Sequence, residues 1–404
     1  CFERLLLMDG IFSVLASPIP FIVLISIVIT VHELGHYWVG RGFGAAVESF
    51  SIGFGRPIFE VRDKRGTRWR LNWLPLGGFV KFVGELQAPT DTRETTDGAC
   101  GKAESAAVRL VGKAYTELGP MKRLAVSLGG PLANFIFAIT VFAFLGLAFG
   151  VPQSRQISVV DVMPNSVAAS AGFKAGDIIV EAGGRPVTIA SDVNRATELS
   201  AGEAVTYRVL REGVPVSLQA TPLEIEETNA VLQMKQKVGR IGIRLTERDT
   251  QIRHLNPVEA VGYGFTSTGD ALGATFNVLR RLFTGKEGLD KLSGPVGIFT
   301  LADKVTDLHM QQKNVDIWEK LRQLSFSLLQ LSALLSIGVG FFNLLPIPVL
   351  DGGAAVMCLA EAATGKEIPE KVQRVGLTIG LACLVSFALL ITWQDIARLW
   401  PGAS

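Results

Sequence analysis

Long apolar runs alternate along this chain with two stretches whose polar and apolar positions follow shorter periods. A helix that crosses a bilayer needs about 20 predominantly apolar residues. We therefore predict four membrane-spanning helices, at about 18–40, 124–149, 323–347 and 375–399. The first run is too long for the apolar core of a signal peptide, and only Arg4 precedes it as a basic residue, so we predict that it is retained.

The segment after the first run alternates as strands do. Its runs "VESFSIGFG", "PIFEVR", "TRWRLNWL" and "GGFVKFV" have a period of two, and "DKRGT" joins two of them as a hairpin turn would. This pattern predicts a β-rich segment at 47–85. The composition then becomes small and polar ("QAPTDTRETTDGACGKAES"), which predicts a linker at 86–123.

Residues 151–250 have the pattern of one α+β domain. "ISVVDVM" and "DIIVEAGG" are strand-like, "SDVNRATELS" is a short helix, and "AVTYRVLREGVPVSLQA" is a hairpin around Glu212 and Gly213. "VGRIGIRL" is predicted as a single closing strand. The phrase "PNSVAASAGFKAGDIIVEAGGRPV" resembles the signature of a PDZ domain in the circularly permuted order of bacterial proteases.

The following segment, 251–322, is amphipathic. In "VGYGFTSTGDALGATFNVLRRLF" apolar residues recur at helical spacing, with polar residues opposite them. Such a helix lies on a membrane surface or packs on the preceding domain, and the sequence leaves both alternatives open.

Charge and cysteine content narrow the class of protein. The formal net charge is +2, which argues against a nucleic-acid partner. The four cysteines show no paired spacing, so neither a disulfide framework nor a cysteine zinc site is predicted. More basic residues flank 41–123 and 348–374 than 150–322, which places the first two segments in the cytoplasm and the third outside.

Three ionisable residues interrupt the first apolar run within "HELGH". His32 and His36 are four residues apart, so on a helix they share a face and can bind one Zn²⁺. A zinc ion in such a site activates a water, and Glu33 on the same turn can take its proton. The alternative is a chance match to a short motif. However, each ionisable group at bilayer depth costs about 2.5–3.5 kcal/mol, which favours a functional cluster.

The third apolar run offers further polar groups, in "GVGFFNLLPIPVLDGG". Pro346 and Pro348 must break the helix there. We predict Asp351 as the third zinc ligand, and the alternative is an N-cap on the helix that follows. For Asn343 we predict contact with the substrate carbonyl or oxyanion, and the alternative is a hydrogen bond between helices.

Taken together, "HELGH", "NLLPIPVLDGG" and the intervening PDZ-like domain resemble the site-2 protease family of intramembrane zinc metalloproteases, in its bacterial regulator-of-sigma-E protease branch. "PLGGFVKFVGE", "GGPLANFIFA" and "LSGPVGI" are further matches. The resemblance implies zinc ligands at His32, His36 and Asp351, the catalytic base at Glu33 and substrate positioning near Asn343. It also implies that the β-rich segment is membrane-associated and that Gly130, Pro131 and Asn134 pack beside the site.

The predicted fold is a polytopic α-helical membrane protein with four transmembrane helices, a membrane-associated β-hairpin or sheet and one α+β PDZ-like domain. Its predicted parts are 1–46 with the first helix, 47–85 β-rich, 86–123 linker, 124–150 second helix, 151–250 PDZ-like, 251–322 amphipathic and membrane-surface, and 323–404 with the third and fourth helices. Known members can carry two PDZ domains, whereas this sequence indicates one.

The predicted function is cleavage, inside or near the bilayer, of single-span proteins already trimmed outside, such as anti-sigma factors, or of signal-peptide remnants. We expect the bacterial inner membrane, with the PDZ-like domain outside the cytoplasm and the active site near the cytoplasmic side. Peptide C-termini are expected at a loop formed by Gly239, Arg240, Ile241, Gly242 and Ile243, whose alternative is a plain strand entry. A non-catalytic membrane scaffold and a metal transporter are the rival functions. Glu33 argues against the scaffold, and the lack of an internal repeat argues against the transporter.

Overall fold

The computed structural model describes residues 18–85, 110–154, 156–198, 200–228, 235–285, 294–310, 312 and 315–399. The chain forms two compact units, Cys1–Val141 with Leu292–Ser404, and Phe142–Lys291. In chain order the described elements are α1 (Pro18–Gly42), β1 (Val47–Arg62), β2 (Arg68–Phe82), α2 (Pro120–Ala148), β3 (Val151–Gln153), β4 (Gln156–Val162), α3 (Val167–Ala171), β5 (Ile178–Ala182), β6 (Arg185–Pro186), α4 (Ala190–Glu198), β7 (Val205–Arg211), β8 (Val214–Ala220), β9 (Leu223–Thr228), β10 (Lys235–Arg240), β11 (Ile243–Arg248), β12 (Gln251–Arg253), α5 (Pro257–Phe283), α6 (Pro295–Met310), α7 (Ile317–Asn343), α8 (Asp351–Thr364) and α9 (Glu370–Leu399).

Four of the described helices are long and apolar enough to cross a membrane: α1, α2, α7 and α9. They cover most of the four apolar runs of the sequence. Helices α2 and α7 begin several residues earlier than the runs, and α7 ends at Asn343, four residues before the predicted end of its run. Pro120 opens α2, which is a favoured place for proline because the first helical N–H has no partner. Most of the predicted linker, 86–109, lies outside the described residues.

Glycines bring the backbones of the long helices into contact. At Gly35 of α1 a side chain would overlap the carbonyl of Gly129 in α2. At Gly340 of α7 a Cβ atom would lie 3.2 Å from the Cβ of Asn134 in α2. Small residues at such crossings allow membrane helices to pack closely. In this packing Asn134 of α2 hydrogen-bonds to His32 of α1 through its side chain and to Ser336 of α7 through its carbonyl.

The β-rich segment is two long, bent strands, and β2 pairs with both edges of β1. Phe50 is opposite Trp69 on one side and Val80 on the other, so the first half of β1 lies between the two ends of β2. The outer half of the hairpin exposes large apolar side chains, among them Phe59 at 62% and Trp73 at 70%. Its inner half packs on α1, where Tyr37 contacts the rings of Phe50 and Trp69.

The second unit contains an α+β domain built on the sheet β11-β4-β5-β7-β8, with β6 beside β5. Its core includes Ile179, Tyr207 and Val209. The predicted hairpin turn is present, because Glu212 and Gly213 both have positive φ, as a tight two-residue turn between strands requires. The predicted single closing strand is wrong. Gly242, at φ 84°, breaks it into β10 and β11, which belong to different sheets.

Helix α5 packs on this domain through three arginines. Arg185 pairs with Asp270 of the helix at 2.5 Å, and Arg280 of the helix pairs with Glu203 at 3.0 Å. Arg281 is buried and donates from Nη1 to the carbonyl of Ala201 at 2.8 Å. Of the two alternatives that the sequence left open for this helix, contact with the domain is therefore present.

Candidate metal centre

Three predicted ligands converge on one point. His32 and His36 lie one turn apart on α1, and Asp351 is the first residue of α8. Asp351 Oδ2 is 3.0 Å from His32 Nε2 and 3.3 Å from His36 Nε2, and the two Nε2 atoms are 3.2 Å apart. Within the described part of the chain, these three residues form the one cluster of histidine, cysteine and carboxylate groups with metal-ligand spacing.

These distances match the edges of a zinc coordination tetrahedron. Zn²⁺ binds imidazole nitrogen and carboxylate oxygen at about 2.0–2.1 Å, which separates two ligands at the tetrahedral angle by about 3.3 Å. Asp351 Oδ2 is buried, and among the described residues it has no hydrogen-bond partner of acceptable geometry. A buried carboxylate oxygen without a donor needs a cation or a proton. The donor set and spacing therefore fit zinc with one position left for substrate or water.

His36 is oriented for metal binding by the backbone of α2. Its Nδ1 lies 2.8 Å from the carbonyl oxygen of Val126 and donates to it. A proton fixed on Nδ1 leaves the lone pair on Nε2, the atom that faces Asp351. Contacts of this kind hold the ring and the tautomer that a metal requires.

His32 has the corresponding contact with Asn134. The His32 Nδ1 atom lies 3.2 Å from the Asn134 side-chain amide, and Asn134 Oδ1 is buried without a partner in the described chain. If Nε2 of His32 binds metal, Nδ1 carries the proton and needs an acceptor. Turning the amide so that Oδ1 faces Nδ1 supplies that acceptor. Ser336 of α7 donates to the Asn134 carbonyl oxygen at 3.1 Å and fixes this part of α2.

Gly130 leaves the space that the two imidazole rings occupy. A Cβ atom at this position would overlap His36 Nε2 and lie 2.8 Å from His32 Cε1. The family motif placed this glycine near the site, but its relation to the two imidazoles depends on how α1 and α2 pack.

The turn before α8 aims Asp351 at the histidines. Helix α8 begins at Asp351 itself, and Leu350 at the N-cap provides no side-chain hydrogen bond, so Asp351 does not cap the helix. A Cβ atom at Gly352 or Gly353 would overlap backbone carbonyls of the preceding turn. At the other end of α8, buried Glu361 pairs with Arg123 of α2 at 2.5 Å, which fixes the helix to the same scaffold as Asn134.

Glu33 is held by the sheet. Its Oε2 accepts a hydrogen bond from the N–H of Val80 in β2 at 3.0 Å. The Cγ of Glu33 also lies beside Gly78, where a Cβ atom would be 3.7 Å away. The predicted base thus lies beside the strand at 78–82. Because the Val80 N–H binds Oε2 of Glu33, the other carboxylate oxygen is available for proton transfer.

Asn343 is placed at the end of α7, where its Nδ2 donates to the carbonyl of Val339 at 3.0 Å. Its role toward a substrate stays a prediction.

The predicted peptide-binding loop connects β10 to β11, which is the last strand of the domain sheet and has helix α4 nearby. Arg240 pairs with Glu198 of α4 at 2.7 Å. The carbonyls of Ile241 and Gly242 accept hydrogen bonds from Ala168 and Met163, and Gly239 packs against Ala201. These contacts hold the loop against the segment that contains Met163 and Ala168, and Ile243 begins β11.

Sequence reasoning missed three groups that support the site: the Val80 N–H, the Val126 carbonyl and the Arg123–Glu361 pair. The first two are backbone atoms, which carry no sequence signal. A charged residue at each end of the pair was visible, but their proximity depends on long-range packing.

Comparison with known proteins gives matches along nearly the whole chain. Residues 20–387 match Peptidase family M50. The metalloprotease MmpA of Caulobacter vibrioides is 36% identical over 93% of this chain and 94% of its own length. A protein of Agrobacterium fabrum named as a proposed zinc metalloprotease is 36% identical over 94% of this chain and 96% of its own length. A similarly named protein of Brucella suis is 35% identical over 98% and 99%.

Proposed function

Because the chain belongs to Peptidase family M50, we propose that it is a zinc metalloendopeptidase that hydrolyses peptide bonds of single-span membrane proteins. The observation that carries this proposal is the convergence of His32, His36 and Asp351 at tetrahedral spacing, with Glu33 on the same helix. The membrane location follows from the four apolar helices together with the family. The names of the relatives support the predicted zinc cofactor.

In the proposed reaction the zinc ligands, Glu33 and Asn343 have different roles. Zinc, when bound by the three ligands, supplies the Lewis acidity that activates water at neutral pH. Glu33 takes up a proton from the attacking water and later passes it to the leaving amine. Its Oε2 meanwhile keeps the hydrogen bond from the Val80 N–H. Asn343 donates to the carbonyl oxygen of the scissile bond, on which negative charge develops.

The strand at 78–82 is the proposed binding place for the unwound substrate. A helical substrate hides its peptide carbonyls in hydrogen bonds and must become extended before it is cut. One edge of this strand pairs with β1, and no other described strand pairs with its second edge, which faces Glu33 at Val80. Addition of a substrate strand to that edge would place a peptide bond next to the base.

The finer assignments rest on sequence and family alone. They are substrates pre-trimmed outside the cytoplasm, such as anti-sigma factors or signal-peptide remnants, in regulated intramembrane proteolysis. They also include the bacterial inner membrane, with the α+β domain outside the cytoplasm and the metal centre near the cytoplasmic side. The exposed apolar side chains of the outer β-hairpin support its membrane association.

Glu33→Gln tests the proposal. The change keeps the size of the side chain and both imidazoles, so zinc content measured by elemental analysis should not change. Cleavage of a model single-span substrate in proteoliposomes should fall by about 10²–10⁴-fold. Glu60→Gln, a change in an exposed glutamate of the same sheet that pairs with Arg70, is the matched control and should cleave normally. A Glu33→Gln protein that holds zinc and cleaves at the parental rate would refute the mechanism.

The α+β domain has a separate proposed role, which is to bind new C-termini at the loop 239–243. Its support is the position of that loop, which connects β10 to β11 and pairs with α4 through Arg240 and Glu198. Calorimetry on the full chain in detergent should show free-acid peptides binding more tightly than their amidated forms. Equal affinities would mean that the domain only limits access to the site.

A further inference from the structure

Two neighbouring N–H groups, those of Val80 and Phe82, lie on the edge of β2 that β1 leaves open. The Val80 N–H donates to Glu33 and therefore points away from β1. The N–H of Val83 donates to the carbonyl of Ala46, which lies on the β1 side, at 3.0 Å. Successive residues of an antiparallel pair direct their backbone groups to opposite edges, so the N–H of Phe82 faces the same way as that of Val80. It is the last to do so before the chain turns at residues 83–84.

Carboxylates hold both of these donors. Glu33 Oε2 accepts the Val80 N–H at 3.0 Å, and Glu85 Oε2 accepts the Phe82 N–H at 3.3 Å. The N–H of Glu85 also donates to the carbonyl of Phe82 at 3.4 Å, so Glu85 occupies both backbone groups of that residue. An extended substrate that pairs with this edge as far as Phe82 needs the same two groups.

A carboxylate at such a position protects the edge. An unpaired row of N–H and C=O groups binds extended chains, and native proteins often place charged side chains against it. An ionised carboxylate accepts hydrogen bonds and has none to donate, so Glu85 satisfies the Phe82 N–H and repels the carbonyl oxygen of an incoming strand. The end of the edge is therefore closed to a substrate strand until Glu85 moves.

The hydrogen bonds of Glu85 are the weaker ones on this edge. Their lengths of 3.3 and 3.4 Å exceed the usual N–H···O distance of about 2.9–3.0 Å, whereas Glu33 holds Val80 at 3.0 Å. A strand that reaches Phe82 exchanges these long contacts for backbone hydrogen bonds of its own. It releases Glu85 and leaves the contact between Glu33 and Val80 in place.

We propose that Glu85 is an edge cap of the substrate-binding strand. It holds Phe82 in the substrate-free protein, and a substrate displaces it by accepting the Phe82 N–H with a backbone carbonyl. Only an unwound segment has free carbonyls with which to do so, and the cap therefore opposes the binding of chains that are still helical. This inference rests on the proposed function, because it concerns peptide binding at the strand next to Glu33.

Binding measured without cleavage tests this proposal. Full-length Glu33→Gln protein in detergent, at pH 8.5 where a glutamate carboxyl is ionised, is titrated with a fluorescent single-span model peptide. Adding Glu85→Ala removes the competing acceptor and should lower the Kd by about 2–10-fold, the effect of one net hydrogen bond. Adding Glu85→Gln, which keeps a neutral acceptor oxygen, should lower it less. Adding Glu60→Gln, in the exposed pair with Arg70 of the same sheet, is the control and should leave it unchanged.

Zinc content verifies the fold of each variant, and Glu85→Gln carries the test if Glu85→Ala loses zinc. With Glu33 intact, Glu85→Ala should lower KM by a factor similar to that in Kd without raising kcat, because the cap opposes binding and not chemistry.

A Kd and KM that stay at or above the parental values would overturn the proposal, because a residue that only shapes the turn after β2 leaves binding unchanged or weakens it. A decrease of equal size in Glu60→Gln would overturn it too, because the loss of any negative charge would then suffice. If the parent cleaves no substrate, the proposed function fails. A Kd that is insensitive to Glu85 counts against the edge cap alone.

Discussion

Each of the two units contains an aspartate with a buried carboxylate oxygen, and the surroundings of the two carboxylates are opposite. In the α+β domain, Asp177 is 1% exposed and accepts hydrogen bonds from Arg211 Nε and Nη2 at 2.8 Å and from the Lys174 N–H at 2.9 Å. In the other unit, buried Asp351 Oδ2 faces two imidazole nitrogens and lacks a hydrogen-bond partner among the described residues. A satisfied buried charge stabilises a fold, whereas an unsatisfied one indicates a ligand.

The substitution Asp351→Ala tests whether this carboxylate is a zinc ligand, and it has the largest expected effect. Removing one of three ligands should abolish stoichiometric zinc, a larger loss than the 10–100-fold that follows from losing an outer contact. Elemental analysis of the purified protein checks it. Since Asp351 lacks its own donor in the metal-free protein, thermal stability after chelation should not decrease relative to the chelated parent. Full zinc occupancy in this variant would remove Asp351 from the site.

Gly130→Ala should displace most of the bound zinc although it removes no ligand. The added methyl group would overlap His36 Nε2 and crowd His32, so the nitrogens cannot hold an ion at 2.0–2.1 Å. Gly338→Ala is the matched control, because a Cβ atom there meets nothing within 4 Å. Zinc content compared between the two variants separates the space needed at the metal from a general effect of alanine in membrane helices. Equal zinc in both would contradict the placement of the ion beside Gly130.

Asp177→Ala should destabilise the α+β domain by about 3 kcal/mol and leave zinc content unchanged. Breaking a buried ion pair costs about 3–5 kcal/mol, and the lower end applies because the Arg211 side chain is 26% exposed and regains water. Hydrogen exchange of β5 and β7 amides in the intact protein measures the loss. Arg208→Ala, at an exposed pair with Glu181 in the same domain, should change stability by less than about 1 kcal/mol. Similar effects of both variants would mean that burial of Asp177 is unimportant.

Asn134 contacts the predicted zinc ligand His32 and is not itself a ligand, so its substitution tests how much the orientation of that imidazole contributes. Asn134→Ala removes the only described side-chain contact of His32 Nδ1 and should weaken zinc binding by about 10–100-fold in a chelator competition. Asn134→Asp keeps an acceptor for the Nδ1 proton and should retain affinity near the parental value. A loss of equal size in both variants would point to packing of α2 instead of orientation of the imidazole.

The smallest expected effect is a pH dependence of the domain. Burial alone would raise the pKa of Asp177, but the hydrogen bonds from Arg211 and the Lys174 N–H outweigh it and lower the pKa below its ordinary value of 3.8. A lowered pKa stabilises the fold fully above the ordinary value and loses that contribution as the pH falls through the folded-state pKa. Protection of β5 amides should therefore drop below about pH 4, and less steeply in Asp177→Asn. Equal slopes would show that another group dominates.

Local features of the sequence predicted the residues of the candidate site better than the contacts that hold those residues in place. The spacing of His32 and His36 places them on one face through helix geometry alone. The prolines before Asp351 predicted the end of α7, which the structure has at Asn343. The family resemblance joined Asp351 to them across the chain. The contact of Gly35 with Gly129, which brings α1 against α2, has no local signal in the sequence. It follows from the packing of two helices whose apolar faces look alike in sequence.

The fold shows the same division. Alternating residues predicted strands at 47–85, but not that β2 would lie on both sides of β1, because pairing is decided by contacts distant along the chain. The closing strand of the domain was predicted whole, and Gly242 divides it. Amphipathic periodicity in α5 located a helix with two different faces and could not say which neighbour each face has.

The large separation of the ligands along the chain affects when the site can form during synthesis. Asp351 is synthesised 315 residues after His36. At about 5–20 residues per second, roughly 15–60 s of translation separate the two histidines from their third ligand. During that interval the nascent chain has only a two-nitrogen site, which cannot hold zinc as the finished one does. The proposed peptidase therefore lacks its complete metal site for most of its synthesis, and activity begins only after Asp351 and the helix that it opens, α8, have been made.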